Sequence, residues 1–217
     1  MFKPFSKLAI MVCRFVLMSS ALVSLLALSG ASQAHELRPA VADVTVTQSK
    51  IQVELRLTVE TLLAGIDLTE VVNTDDAPQA EVYDKLRGLT DVALAELVHA
   101  EWSSLAPGLL IEGAGFLKLI SVNVMAEPNL ELPRDTILMM QAGLPLGNGT
   151  VSLGWIAQNG GLVVRHGDGN NAYAAFLEGG EMSAPLPRDG AVEESTAAVF
   201  WRFMVEGFEH IIPKGLD

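Results

Sequence analysis

The sequence predicts a mainly β, α+β fold: an antiparallel β-sandwich-like domain with a helical insertion and a C-terminal amphipathic helix. Three observations predict it. Ile51, Val53, Leu55, Leu57 and Val59 alternate with Gln52, Glu54, Arg56 and Thr58, the period of two that a half-buried strand requires. Val82, Leu86, Leu89, Ala93 and Leu97 recur at helical spacing and form one apolar stripe. Beyond Leu109, short apolar runs at 116–125, 136–142, 150–157 and 162–166 are separated by Gly, Asn and Pro clusters, as in an all-β sandwich.

Residues 1–34 read as a secretory signal peptide. Lys3, Lys7 and Arg14 precede the apolar run 15–28, and Ser32-Gln33-Ala34 supplies small residues at a cleavage site. The run is shorter than the roughly 20 residues of a spanning helix, so cleavage after Ala34 is expected. Export follows. Cys13 is the single cysteine and lies in this leader, so the exported chain has neither disulfides nor a thiolate metal site.

The β-rich domain is expected over 35–178. It opens with a hairpin, since Val44 and Val46 lead into Gln48-Ser49-Lys50 and then into the alternating strand. Residues 60–68 read as a short helix or turn, and Asn73 to Pro78 as a polar loop. The helical stripe starts near Gln79 and breaks at Gly88-Leu89-Thr90, where Thr90 caps a second segment beginning at Asp91; Pro107-Gly108 ends it. Asn159-Gly160 signals a tight hairpin, because both residues accept positive φ. A further turn at 167–171 precedes a last strand at 172–177. Residues 179–190, with Pro185 and Pro187 between glycines, read as a linker. Residues 191–217 read as a helix leading toward a membrane domain, with Glu193 and Glu194 at the positive end of its dipole.

Setting aside the three basic residues of the leader, 11 Lys and Arg face 26 Asp and Glu, a net charge of −15. That balance opposes binding to nucleic acid or to an anionic lipid surface and suits attraction of cations. No catalytic signature appears: there is no Gly-x-Ser-x-Gly elbow, phosphate-binding glycine loop, His-Glu-x-x-His or cysteine nucleophile. The chain therefore does not read as an enzyme.

Two stretches carry a family resemblance. His35-Glu-Leu-Arg-Pro-Ala40, together with Gly207-Phe-Glu-His-Ile211 and Gly215-Leu-Asp217, resembles the HupE/UreJ family of hydrogenase and urease accessory membrane proteins, thought to pass nickel or cobalt. The resemblance implies that this chain is the exported N-terminal part of a longer membrane protein, or a truncated copy of one. It also implies that the destination of export is a bacterial periplasm, that His210 and Asp217 belong to a metal-passing motif, and that the membrane is reached through a C-terminal domain beyond the sequence given.

The histidines are His35, His99, His166 and His210. Cleavage after Ala34 would leave His35 with a free α-amine, and amine plus imidazole chelate Cu(II) or Ni(II). His166 and Asp168, at a Gly-rich turn, are the candidate partners for that chelate, although a histidine at a strand end is ordinarily structural. His99 lies off the apolar stripe and reads as solvated. The expected cargo is a divalent cation, Ni(II), Co(II) or Cu(II), loosely held by imidazole and carboxylate, with no tightly bound cofactor. Two other readings stand beside the transporter one: a stand-alone periplasmic copper-binding sandwich using His35, and a metal-free docking module using its acidic surface or the apolar side of 200–212.

Overall fold

The structure, a computed structural model, describes residues 38–71, 73–167 and 172–188. The expected leader (1–34) and C-terminal helix (191–217) lie outside the described residues. The expected opening hairpin is present as β1 (Ala40–Val46) and β2 (Lys50–Leu57). Thr47 closes it: its amide N–H donates to the Lys50 carbonyl at 2.9 Å, and its hydroxyl accepts from the Lys50 amide at 3.2 Å.

Helix α1 (Val59–Ala64) follows, ended by Gly65 at φ 72, the left-handed conformation a side chain resists. The long apolar stripe divides into α2 (Ala80–Arg87) and α3 (Asp91–Leu105), breaking where the sequence placed the break. There the Thr90 hydroxyl accepts from the Ala93 amide and caps α3. The remaining strands are β3 (Leu109–Glu112), β4 (Lys118–Val124), β5 (Thr136–Gly143), β6 (Ser152–Trp155), β7 (Leu162–His166) and β8 (Tyr173–Leu177).

Six strands form one sheet in the order β4-β5-β2-β1-β7-β8, and β3 pairs with β6 in a second, two-stranded sheet. Register explains why one face of the large sheet is apolar. Val44 faces Val53 on β2 and His166 on β7, and Val53 in turn faces Met140 on β5, so the inward residues fall into continuous rows. These rows meet Val59 of α1, Leu94 and Val98 of α3, and Leu153 and Trp155 of β6, all buried in one core. The mainly β, α+β class expected from the sequence is thus the fold observed.

Three expectations are corrected in detail. The large sheet is mixed rather than antiparallel, because β1 and β7 run parallel. Asn159-Gly160 makes no hairpin: Ala157–Asn159 is a 3-10 turn, and the chain crosses there from the small sheet (β6) to the large one (β7). Gly160 does take a positive φ of 74, and its carbonyl accepts from the Trp155 indole at 2.8 Å. The Asn-Gly signal therefore marked backbone conformation and not strand pairing. Finally, the expected linker is packed into the domain as far as Arg188. Leu186 is fully buried, and its amide and carbonyl both bond Val151. No described helix is long and apolar enough to cross a membrane.

Candidate functional site

His166 is the one sequence-predicted site residue within the described part. His35, Asp168, His210 and Asp217 lie outside it. As the last residue of β7, His166 turns its ring toward the core face at the end of the sheet and is buried. Its Nδ1 lies 3.0 Å from the Val44 carbonyl oxygen. An oxygen that only accepts makes Nδ1 the protonated nitrogen, which leaves the lone pair on Nε2. A backbone carbonyl fixing the opposite ring nitrogen is the usual support of a metal-ligating imidazole. It is equally what a structural histidine needs for satisfaction.

Beside this ring the strand ends form an open pocket of about 340 Å³ lined by Asp43, Thr45, Arg165 and Gly167. Asp43 and Arg165 are already committed to each other, with both guanidinium contacts at 2.6 Å. Among the described residues no group of three or more His, Cys, Asp or Glu could hold a metal ion. The strand order also bears on the expected N-terminal partner. Ala40 lies beside Leu162 and Val44 beside His166, so β1 begins four residues away from His166, about 13 Å at strand spacing.

A second constellation went unnoticed in the sequence. Glu60 in α1, Arg87 at the end of α2 and Arg134 in the loop before β5 meet in the interior, with the half-exposed Asp91 at the start of α3 on the edge of the group. Arg134 donates from Nε to Glu60 Oε1 at 2.9 Å, from Nη1 to the Leu89 carbonyl and Asp91 Oδ1, and from Nη2 to the Leu86 carbonyl. Arg87 donates to the carbonyls of Asn129 and Leu132, and its Nη1 lies 3.7 Å from Glu60 Oε1. Glu60 Oε2 and Arg87 Nε are buried without a hydrogen bond.

Burial pushes the Glu60 carboxyl above its usual range, a rise that its own backbone hydrogen bond and then the Arg134 and Arg87 charges only partly oppose. Burial, followed by the Glu60 charge, pushes the Tyr83 phenol up to about 12. Two acids and two guanidiniums balance in formal charge. The arrangement clamps the ends of three helices to the 129–134 loop. Sequence offered no signal for it, since an acid in the first turn of a helix and two distant arginines ordinarily sit on the surface.

Compared with known proteins, the chain matches no family model and no curated sequence.

Proposed function

We propose that the chain is the exported accessory domain of a HupE/UreJ-like membrane protein and assists uptake of a divalent cation, nickel or cobalt. The observation that carries this reading is the pair of end motifs, His35 to Ala40 and Gly207 to Asp217, in one exported acidic chain. The domain acts before the membrane step: it holds the cation loosely and passes it toward His210 and Asp217. Imidazole and carboxylate donors without thiolate suit Ni(II), Co(II) and Cu(II). The contact of His166 Nδ1 with the Val44 carbonyl, which leaves Nε2 as the ring's acceptor nitrogen in the neutral form, supports a contribution from the β domain.

The copper-binding alternative, with His35 and His166 in one chelate, is less favoured. It requires the chain before β1 to double back along the strand, by about the 13 Å that separates the start of β1 from His166.

Isothermal titration of the chain with Ni(II), Co(II) and Cu(II) tests the proposal. Weak Ni(II) or Co(II) binding that falls with His210→Ala is the expected result. Cu(II) binding that vanishes when one residue is added ahead of His35 would move the assignment to the N-terminal chelate. Absence of any binding would leave a docking domain.

A further inference from the structure

The two most exposed large apolar side chains described lie on neighbouring loops at one end of the large sheet. Phe116 is 96% exposed, and Leu146 is wholly so. Their loops are joined: the Gly115 amide donates to the Gly143 carbonyl at 3.0 Å, and a Cβ on Gly113 would overlap the Thr150 carbonyl. The turn of the β1-β2 hairpin belongs to the same end, since the Leu144 amide donates to the Ser49 carbonyl at 2.9 Å. Arg188, the last described residue, is tied there as well, donating to the carbonyls of Gly149 and Gln48 at 2.9 Å.

Among the described residues, the charge on this end opposes that of the whole chain. Lys50 faces Gly143, Lys118 faces Gln141, and Arg188 sits on the same loops. Against them the described residues place one acid, Glu112, at the rim. A net charge of −15 speaks against an anionic surface only as an average. At about 0.1 M salt the Debye length is about 10 Å, so a surface touching this end senses its three cations more than Glu54 and Asp43, which lie further along the strands.

We infer that this end is a membrane-docking tip, in which Phe116 and Leu146 enter the interfacial layer of a phospholipid surface while Lys50, Lys118 and Arg188 meet anionic headgroups. Exposed apolar side chains at loop tips flanked by cations are the chemistry of interfacial binding. A second copy of the chain is the competing occupant; when the same end meets itself, its cations repel their own images. The inference does not depend on metal binding.

The test uses the full chain with Cys13→Ser and Phe116→Cys, carrying an environment-sensitive dye on the introduced thiol. A control places the dye through Leu130→Cys, an exposed site in the loop joining β4 to β5. Vesicles containing phosphatidylglycerol should shift the dye at 116 to the blue and brighten it several-fold, with no change at 130. Reversing Lys50 and Lys118 to Glu should weaken this response by about tenfold or more. No response at 116, or equal responses at 116 and 130, would overturn the tip. A response that grows with protein concentration in the absence of vesicles would overturn the lipid assignment in favour of self-association. Because the assay contains no metal ion, these outcomes are independent of the metal titration.

Discussion

Arg134 Nε lies 2.9 Å from Glu60 Oε1, joining the loop before β5 to the first turn of α1 across 74 positions of sequence. The two partners are not equivalent. Arg134 also satisfies the Leu86 and Leu89 carbonyls and Asp91, whereas Glu60 keeps one oxygen unbonded. Arg134→Met should therefore cost about 3–5 kcal/mol, since it leaves a buried carboxyl and several carbonyls without donors. Glu60→Gln preserves an acceptor for Arg134 and should cost less than about 1 kcal/mol. Urea unfolding of the two variants measures the difference, and equal losses would contradict the asymmetry.

The same cluster fixes a pH dependence. The folded pKa of Glu60 is raised, so its contribution to stability is fully present below the unfolded value of 4.5 and is lost as pH rises through the folded value. Unfolding midpoints of the natural chain should fall relative to Glu60→Gln as pH increases from about 4 toward neutrality. A gap that widens in the opposite direction would mean that the guanidiniums dominate over burial.

Tyr83 sets an alkaline limit by the same logic. Its phenol is raised from 10.0 to about 12, so the stability it lends is intact below pH 10 and lost as pH climbs through the folded value. Absorbance near 295 nm in a Tyr173→Phe background should show one phenol titrating late. Tyr83→Phe should remove both that transition and part of the alkaline destabilisation.

How much of this was readable in advance follows from where each signal lives. The β2 alternation and the Thr90 cap are local, so sequence located them. Arg134 and Glu60 meet only because α1, α2 and the loop before β5 converge, and no pattern along the chain encodes that. Asn159-Gly160 shows the intermediate case: positive φ at Gly160 was legible, but whether the chain then pairs with itself or crosses to another sheet depends on which partner the flanking strands find. β3 was missed because four residues beside a Pro-Gly turn are too few to show a period. Of the candidate metal residues only His166 lies within the described residues. Its fixed Nδ1 follows from the Val44 carbonyl, a neighbour supplied by a parallel pairing that the sequence did not reveal.

The packed segment 182–186 depends on the absence of one side chain. At Gly154 a Cβ would overlap the Glu181 carbonyl and press on Met182 Sδ, while Gly154 pairs with Leu110 on β3. Gly154→Ala should cost about 1–3 kcal/mol by forcing that backbone off β6. Met182→Ala in the same chain should not restore it, because the Glu181 carbonyl remains. Thermal unfolding of the single and double variants checks this, and recovery in the double variant would place the conflict on the methionine alone.

His166 separates a ligand from a peg. Without metal, His166→Ala removes a buried hydrogen bond and some packing, and should lower stability by about 1–2 kcal/mol in either case. Ni(II) distinguishes the two roles, because a ligand that binds only the folded state raises its stability by about 2.7 kcal/mol at a hundredfold excess over Kd. On the proposed function, Ni(II) raises the melting temperature of the natural chain, and His166→Ala abolishes most of that rise. A His166→Ala protein that starts lower but gains as much from Ni(II) as the natural chain would show that the Nε2 lone pair is not used. The β domain would then position the cation-passing residues without touching the cation itself.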